Sequence, residues 1–266
     1  MLKGYTLPRS PLGKAAATPA PPWHYSSDIV GAEYWTDPAA TAALLPDGLS
    51  PDPKTNGHVT AVFLDWQFTS QNEELLDPAR YQYREAFVLI DAVWRETPIV
   101  FCPYIYVDND AAMARGWTQG FPKRLGSVFQ TRSFAAPGLA AGQLRPGSRF
   151  GASLSAHGER LMETRITLHQ AEPDPRVIFG RPTVNLRYFP RLAAGQQDRP
   201  AVNELVLSIT DNLTIVDMWT GEADLLIPEI EDEELHALSP MSMGKGFRCS
   251  MAYSVTDLRT LEDFQA

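Results

Sequence analysis

His58-Val-Thr-Ala-Val-Phe-Leu-Asp-Trp-Gln-Phe68 is the stretch that decides the fold. In it Thr60, Val62, Leu64, Trp66 and Phe68 alternate with Ala61, Phe63, Asp65 and Gln67. Side chains of an extended chain point to opposite faces in turn, so a period of two is the signature of a strand. Working outward, the same reading recurs. Residues 83–95 form a second, longer strand with Glu85, Phe87, Leu89, Asp91 and Val93 on one face. Residues 99–107 form a third, in which Pro103 marks a bulge or an edge position. Between the first two, residues 71–80 are polar and proline-bounded and read as a loop. Downstream, strands are expected over 127–134, 149–156, 160–170, 185–189, 204–210, 214–220 and 247–255, separated by turns rich in Gly and Pro. In the last of these Phe247, Cys249, Met251 and Tyr253 share one side.

Helices are few and short. Asp37 is a good N-cap and Pro38 suits the first helical position, so a short helix is expected over 39–45, closed by Pro46 and Gly48. Asp108-Asn-Asp110 caps a second over 111–117. That run lacks the glycine and the distal glutamate of a calcium loop, and reads as turn and cap. Residues 228–238 carry Glu229, Glu231, Asp232, Glu233 and Glu234, which read as the solvated face of a helix near its N-terminus. The predicted class is therefore mostly β (β-rich α+β), an antiparallel closed or half-closed barrel with a few short helices. Neither a repeat nor a linker divides it, so residues 26–266 are expected to form one domain. Residues 1–25 are rich in Pro and Ala and end in Pro-Pro-Trp-His-Tyr. They read as an extended N-terminal arm lying on the body or on a neighbouring subunit through Trp23 and Tyr25, or as a loose tail.

Composition narrows the function. A chain of 266 residues is long enough for a substantial core. A net charge of -9 without a basic stripe argues against nucleic-acid binding. Cys102 and Cys249 lie in apolar strands and read as buried thiols, and the five histidines have no metal-ligand spacing. No apolar stretch is long enough to span a membrane, and the N-terminus lacks the apolar core of a secretory signal, so the cytoplasm is the expected location. Phosphate loops, dinucleotide glycine patterns, nucleophile elbows and zinc-protease helices are missing, and neither cofactor nor metal is expected.

One stretch carries chemistry: Gly116-Trp-Thr-Gln-Gly-Phe-Pro-Lys-Arg-Leu-Gly126. Apolar surroundings disfavour an ammonium ion, and a fixed positive neighbour, here Arg124, repels it. Free lysine titrates at about 10.4, so at pH 7 only about one molecule in 2,500 is an amine. A depression of about three units makes the amine a sizeable fraction, able to attack a ketone. Taken alone, a Lys-Arg pair in a Pro/Gly turn is more often solvated surface charge.

Three motifs coincide. Tyr83-Arg-Glu85 opens a strand, Tyr104-Ile-Tyr-Val-Asp-Asn-Asp110 ends another, and Gly120-Phe-Pro-Lys-Arg-Leu-Gly126 follows Gly116. In order and spacing this resembles the acetoacetate decarboxylase superfamily, with its Tyr-x-Glu strand, Tyr-x-Asp-Asn run and Pro-Lys-(Lys/Arg)-Leu-Gly turn. The Thr36-Asp-Pro helix and Trp219-Thr-Gly221 match as well, so the resemblance spans roughly residues 20–255. It implies that Lys123 forms a Schiff base, that Glu85 is its partner for proton transfer and positioning, and that the protein is a homo-oligomer. Arg124 stands where the decarboxylases carry a second lysine. One departure is that the arginine preceding the Thr-Asp helix in the decarboxylases is missing, the matching position being near Ser27.

Gln119, four residues before the lysine, Tyr253, Tyr83 and Arg124 are the candidate substrate-binding residues; Tyr253 reads equally as a core tyrosine. An iminium on Lys123 serves two reactions. A 3-oxo acid loses carbon dioxide. Pyruvate, or a similar 2-oxo acid, instead gives up a methyl proton to Glu85, and its enamine attacks an aldehyde, with loss of water. The missing arginine, with Gln119 and Tyr253 as donors, favours the aldolase–dehydratase; a decarboxylase is the alternative, and a non-catalytic barrel that binds a small carbonyl compound is the third reading.

Overall fold

The computed structural model describes residues 1–265. Twelve strands form one sheet: β1 (Trp23–Trp35), β2 (Leu49–Pro51), β3 (His58–Thr69), β4 (Gln82–Trp94), β5 (Thr97–Val107), β6 (Lys123–Leu125), β7 (Ser127–Gln130), β8 (Arg149–Ala156), β9 (Glu159–Ala171), β10 (Val184–Phe189), β11 (Val202–Leu226) and β12 (Ser242–Asp263). The order along the sheet is β6-β5-β4-β3-β1-β12-β11-β9-β8-β7, with β10 on β11 and β2 on β4. Neighbours run antiparallel except β5 and β6. The sheet curls into a half-closed barrel. Its two edges, β6 and β7, are not hydrogen-bonded to each other in the strand order, yet they are consecutive in the chain, with Gly126 alone between them.

The helices are α1 (Pro38–Ala43), α2 (Pro78–Tyr81), α3 (Asp110–Thr118) and α4 (Arg176–Phe179). The caps behave as the sequence requires. Asp37 accepts from the Ala39 amide at 2.9 Å, and Asn109 from the Ala112 amide at 2.8 Å. Cys102 and Cys249 are buried free thiols. No described helix is long and apolar enough to cross a membrane.

The strand from 23 to 35 is absent from the sequence reading, although β1 lies centrally between β3 and β12. Ser26, Ser27 and Asp28 interrupt its apolar run and mask the alternation. Trp23 and Tyr25 thus belong to the sheet, and the segment before them folds against its own chain. Tyr5 meets Trp23 edge-on at 5.9 Å, and the Thr18 hydroxyl donates to the Ala111 carbonyl at 3.2 Å. The strands expected at 204–210 and 214–220 are one strand, β11. What reads as a turn at Asp211-Asn212-Leu213 is a bulge, with the register shifting between Asp211 and Thr214 and Asn212 at φ 58°. Residues 228–238 form no α-helix; there is one tight 3-10 turn at Leu235–Leu238. Its acids are not all solvated, because Glu233 turns back to pair with Arg124. β7 stops at Gln130 instead of reaching 134, and the loop over 71–80 contains α2 and a 3-10 turn at Glu74–Leu76.

Candidate active site

The loop from α3 to β6 delivers Lys123 to the inside of the barrel. β6 lies parallel to β5 with Lys123 opposite Ile105, and β4 lies on the other side of β5 with Glu85 opposite Val107. The Lys123 ammonium or amine and the Glu85 carboxyl therefore converge from two strands separated by a third. Lys123 Nζ is hydrogen-bonded directly to Glu85 Oε2, and both side chains are buried, 7% and 6% exposed. Glu85 Oε1 accepts from the Trp66 indole at 3.1 Å, which holds the carboxyl in place from β3. The Trp117 indole donates to the Lys123 carbonyl at 2.9 Å and pins the backbone of the turn.

The lysine stem needs room, and α3 supplies it at Gly116. A methyl group there would overlap Cγ, Cδ and Cε of Lys123. The side chain lies across a notch in the helix that only glycine leaves open.

Burial lowers the proton affinity of Lys123; Glu85 pulls it back up and Arg115 pushes it down, with a net fall below the ordinary lysine value. The cationic neighbour is thus Arg115, not the adjacent Arg124. Successive residues on a strand face opposite ways, so Lys123 points in and Arg124 points out. Arg124 pairs with Glu233 at 2.9 Å, reaches the Tyr106 hydroxyl at 3.2 Å and is 45% exposed. It does not line the cavity. Arg115 is 1% exposed. Its guanidinium lies 3.8 Å from the Phe68 ring centre, 5.3 Å from that of Tyr83 and 5.5 Å from that of Tyr25. Neither of its terminal nitrogens has a hydrogen-bond partner among the described residues.

A cavity of about 170 Å³ opens in front of the pair. Tyr83, Glu85, Gln119, Lys123 and Tyr253 all line it, so the structure brings together every candidate except Arg124. Tyr253 stacks on Tyr25 at 5.2 Å, and the Gln119 amide donates to the Arg115 carbonyl at 3.3 Å. Burial pushes the phenols of Tyr25, Tyr83 and Tyr253 above their ordinary value, which keeps them neutral donors. Among the described residues no group of His, Cys, Asp and Glu is placed to hold a metal.

Sequence reasoning missed Arg115, Trp66, Tyr25 and Arg181. A signal existed for the first two. Arg115 is one helical turn before Gln119 and shares its face, and Trp66 shares a strand face with Leu64. For Arg181 there was none, since it arrives from a loop distant in sequence. The position near Ser27 is a buried serine that donates to the Asp28 carbonyl at 2.9 Å, outside this cavity. The positive charge without an acidic partner near the cavity is Arg115; Arg181 lines the cavity already paired with Asp52 and Asp91.

The sequence pattern of acetoacetate decarboxylase matches residues 6–264. The chain belongs to the acetoacetate decarboxylase family. Within that family it is similar to the enduracididine biosynthesis enzyme MppR, solved with pyruvate and with the condensation product of pyruvate and imidazole 4-carboxaldehyde. The product complex is 35% identical with a TM-score of 0.92, over 99% of this chain and 98% of that one. The pyruvate complex is 35% identical with a TM-score of 0.91, over 99% of each chain. An acetoacetate decarboxylase-like enzyme from Sphingomonas wittichii RW1 is 26% identical with a TM-score of 0.89, over 98% of this chain and 100% of that one. No match is found among curated protein sequences. Solved acetoacetate decarboxylase at 17% identity shares the fold, with a TM-score of 0.79 over 99% of this chain and 97% of that one.

Proposed function

We propose that this member of the family is a Schiff-base aldolase–dehydratase that condenses pyruvate, or a similar 2-oxo acid, with an aldehyde. The observation that carries the reading is a buried arginine, Arg115, that has no acidic partner among the described residues and lies against the rings of Tyr25 and Tyr83. It lies behind Tyr25, Tyr83 and Gln119, which do line the cavity. A carboxylate bound against those donors gains from the cation behind them. A 2-oxo acid keeps its carboxylate throughout the aldol route, so a fixed cation behind those donors can hold it from binding to release. The likeness to MppR, solved with pyruvate and with a pyruvate–aldehyde condensation product, supports the same reading.

The chemistry follows from the pair. The neutral Lys123 amine adds to the ketone carbon of pyruvate and water leaves, giving an iminium ion. Glu85 takes a proton from the methyl group, and the electrons of that C–H bond flow to the iminium nitrogen to make an enamine. The enamine carbon attacks the aldehyde carbonyl, and the resulting oxygen takes up a proton. Loss of a second proton from the former methyl carbon, with departure of the hydroxyl as water, forms the carbon–carbon double bond. Water then hydrolyses the iminium, frees Lys123 and releases an unsaturated 2-oxo acid. Decarboxylation of a 3-oxo acid by the same iminium is the second reading, favoured by the family match itself. A barrel that only binds carbonyl compounds is less well supported, since both Lys123 and Glu85 are present and paired. Assembly into a homo-oligomer belongs to the same proposal.

Borohydride reduction with pyruvate, followed by peptide mass mapping, tests the first step. The expected adduct is on Lys123; it disappears in Lys123→Ala and is much reduced in Glu85→Gln. Absorbance from a conjugated product with pyruvate and an aromatic aldehyde supports aldol–dehydration, whereas carbon dioxide release from acetoacetate supports decarboxylation.

A further inference from the structure

We infer that the end of the cavity remote from Lys123 selects the second substrate, and that it takes an uncharged aldehyde with an extended apolar body and a terminal hydroxyl-type hydrogen-bonding group. This rests on the condensation reading above.

One face of β4 serves as a ruler. Tyr83 and Glu85 line the reactive end of the cavity, and Phe87 and Leu89 continue its wall. At about 3.3 Å per residue, Leu89 is about 13 Å beyond Glu85. The next residue on that face, Asp91, holds Arg181 at 3.4 Å. Arg181 also lines the cavity, as do Thr183, Ser208 and Thr210. Val184 pairs with Leu207, which sets Thr183 beside Ser208 across β10 and β11. Between the two ends the wall is apolar, lined by Val62 beside Phe87, by Leu89 and by Phe179. The cavity thus has a reactive end, a greasy middle and a polar far end.

Two observations at the far end define what it accepts. The Ser208 hydroxyl is buried and has no hydrogen-bond partner among the described residues. An unsatisfied buried hydroxyl is costly, and a ligand that completes it is favoured over one that does not. The second observation is charge. Arg181 is already matched by Asp52 at 2.7 Å and Asp91 at 3.4 Å. His58 adds one further basic group, lying between Asp91 at 3.0 Å and Glu33 at 3.4 Å. Three carboxylates therefore face one guanidinium and one imidazole, so no positive charge remains there for an anion. The arginine without an acidic partner is at the opposite end, where the 2-oxo acid's carboxylate is proposed to bind. The cavity has a place for one carboxylate and not for two.

The length of the greasy middle calls for a body longer than one ring, so 3-arylpropenals are suitable probes. Condensation with pyruvate is measured for cinnamaldehyde, 4-hydroxycinnamaldehyde and 4-carboxycinnamaldehyde. The hydroxy compound is expected to exceed the unsubstituted one in kcat/KM by at least about fivefold, and the carboxy compound to be the poorest. Ser208→Ala should bring the hydroxy-to-unsubstituted ratio to about one, and Ser208→Thr should keep the preference. Thr183→Val, which leaves the serine in place, should reduce that ratio too and serves if Ser208→Ala does not fold. Wild-type protein that forms the borohydride adduct with pyruvate but shows equal kcat/KM for the three aldehydes overturns this inference and spares the condensation reading. Wild-type protein that forms no adduct overturns both.

Discussion

Removing the proton from His58 is expected to destabilise the protein by on the order of 3 kcal/mol. Its ring sits between two acids, with Nδ1 3.0 Å from Asp91 and Nε2 3.4 Å from Glu33. Burial alone would weaken proton binding, but the hydrogen bonds to Asp91 and Glu33 outweigh it and raise the pKa from 6.5 to about 9. The difference is about 2.5 units at about 1.36 kcal/mol each, which gives the figure above. The folded protein binds this proton more tightly than the unfolded chain does. The stabilisation is therefore complete below about pH 6.5 and is lost as the pH rises through about 9. Urea unfolding at pH 6 and at pH 10, for wild type and for His58→Gln, reads it directly. Wild type should lose about 3 kcal/mol more than the variant over that interval, the other titrating groups cancelling in the difference. Equal losses in the two proteins would refute the reasoning.

Gly116→Ala should nearly abolish pyruvate trapping, because the new methyl group displaces the Lys123 stem, while circular dichroism and the unfolding midpoint change little. Arg115→Met removes the cation that pushes the Lys123 proton off, so the pH at which borohydride trapping is half-maximal should move upward. Arg124→Ala, on the outer face of β6, should leave that pH where it is; a shift as large as that of Arg115→Met would reinstate the adjacent residue as the tuning charge. Trp66→Phe withdraws one hydrogen bond from Glu85 and should lower trapping several-fold, about 1 kcal/mol in the free energy of the step.

The strands with clear alternation were legible in the sequence. β8 shows this, since its residues switch between a buried and a less buried face in a period of two, whereas β3 alternates in burial only from Leu64 to Thr69 and is buried on both faces before that. β1 was hidden because its middle carries Ser26, Ser27 and Asp28, whose polarity suggests a loop, although pairing on both sides holds it as a strand. Lys123, Glu85, Gln119, Tyr83 and Tyr253, singled out by motif and face, all line one cavity. The error over Arg124 came from treating a sequence neighbour as a spatial one. On a strand the adjacent residue is across the sheet, whereas Arg115 reaches the same interior from a helix eight positions earlier. Arg181 and Ser208 left no local trace, because their meaning depends on which strands the barrel brings opposite one another.

The two rims of the sheet meet at a single residue, Gly126, and the first of those rims begins with Lys123. A peptide link fixes the width of that slit at one point, beside the lysine. Spreading it enough to admit an oversized guest would drag the amine away from its carboxylate, so such a guest would disarm the enzyme instead of reacting.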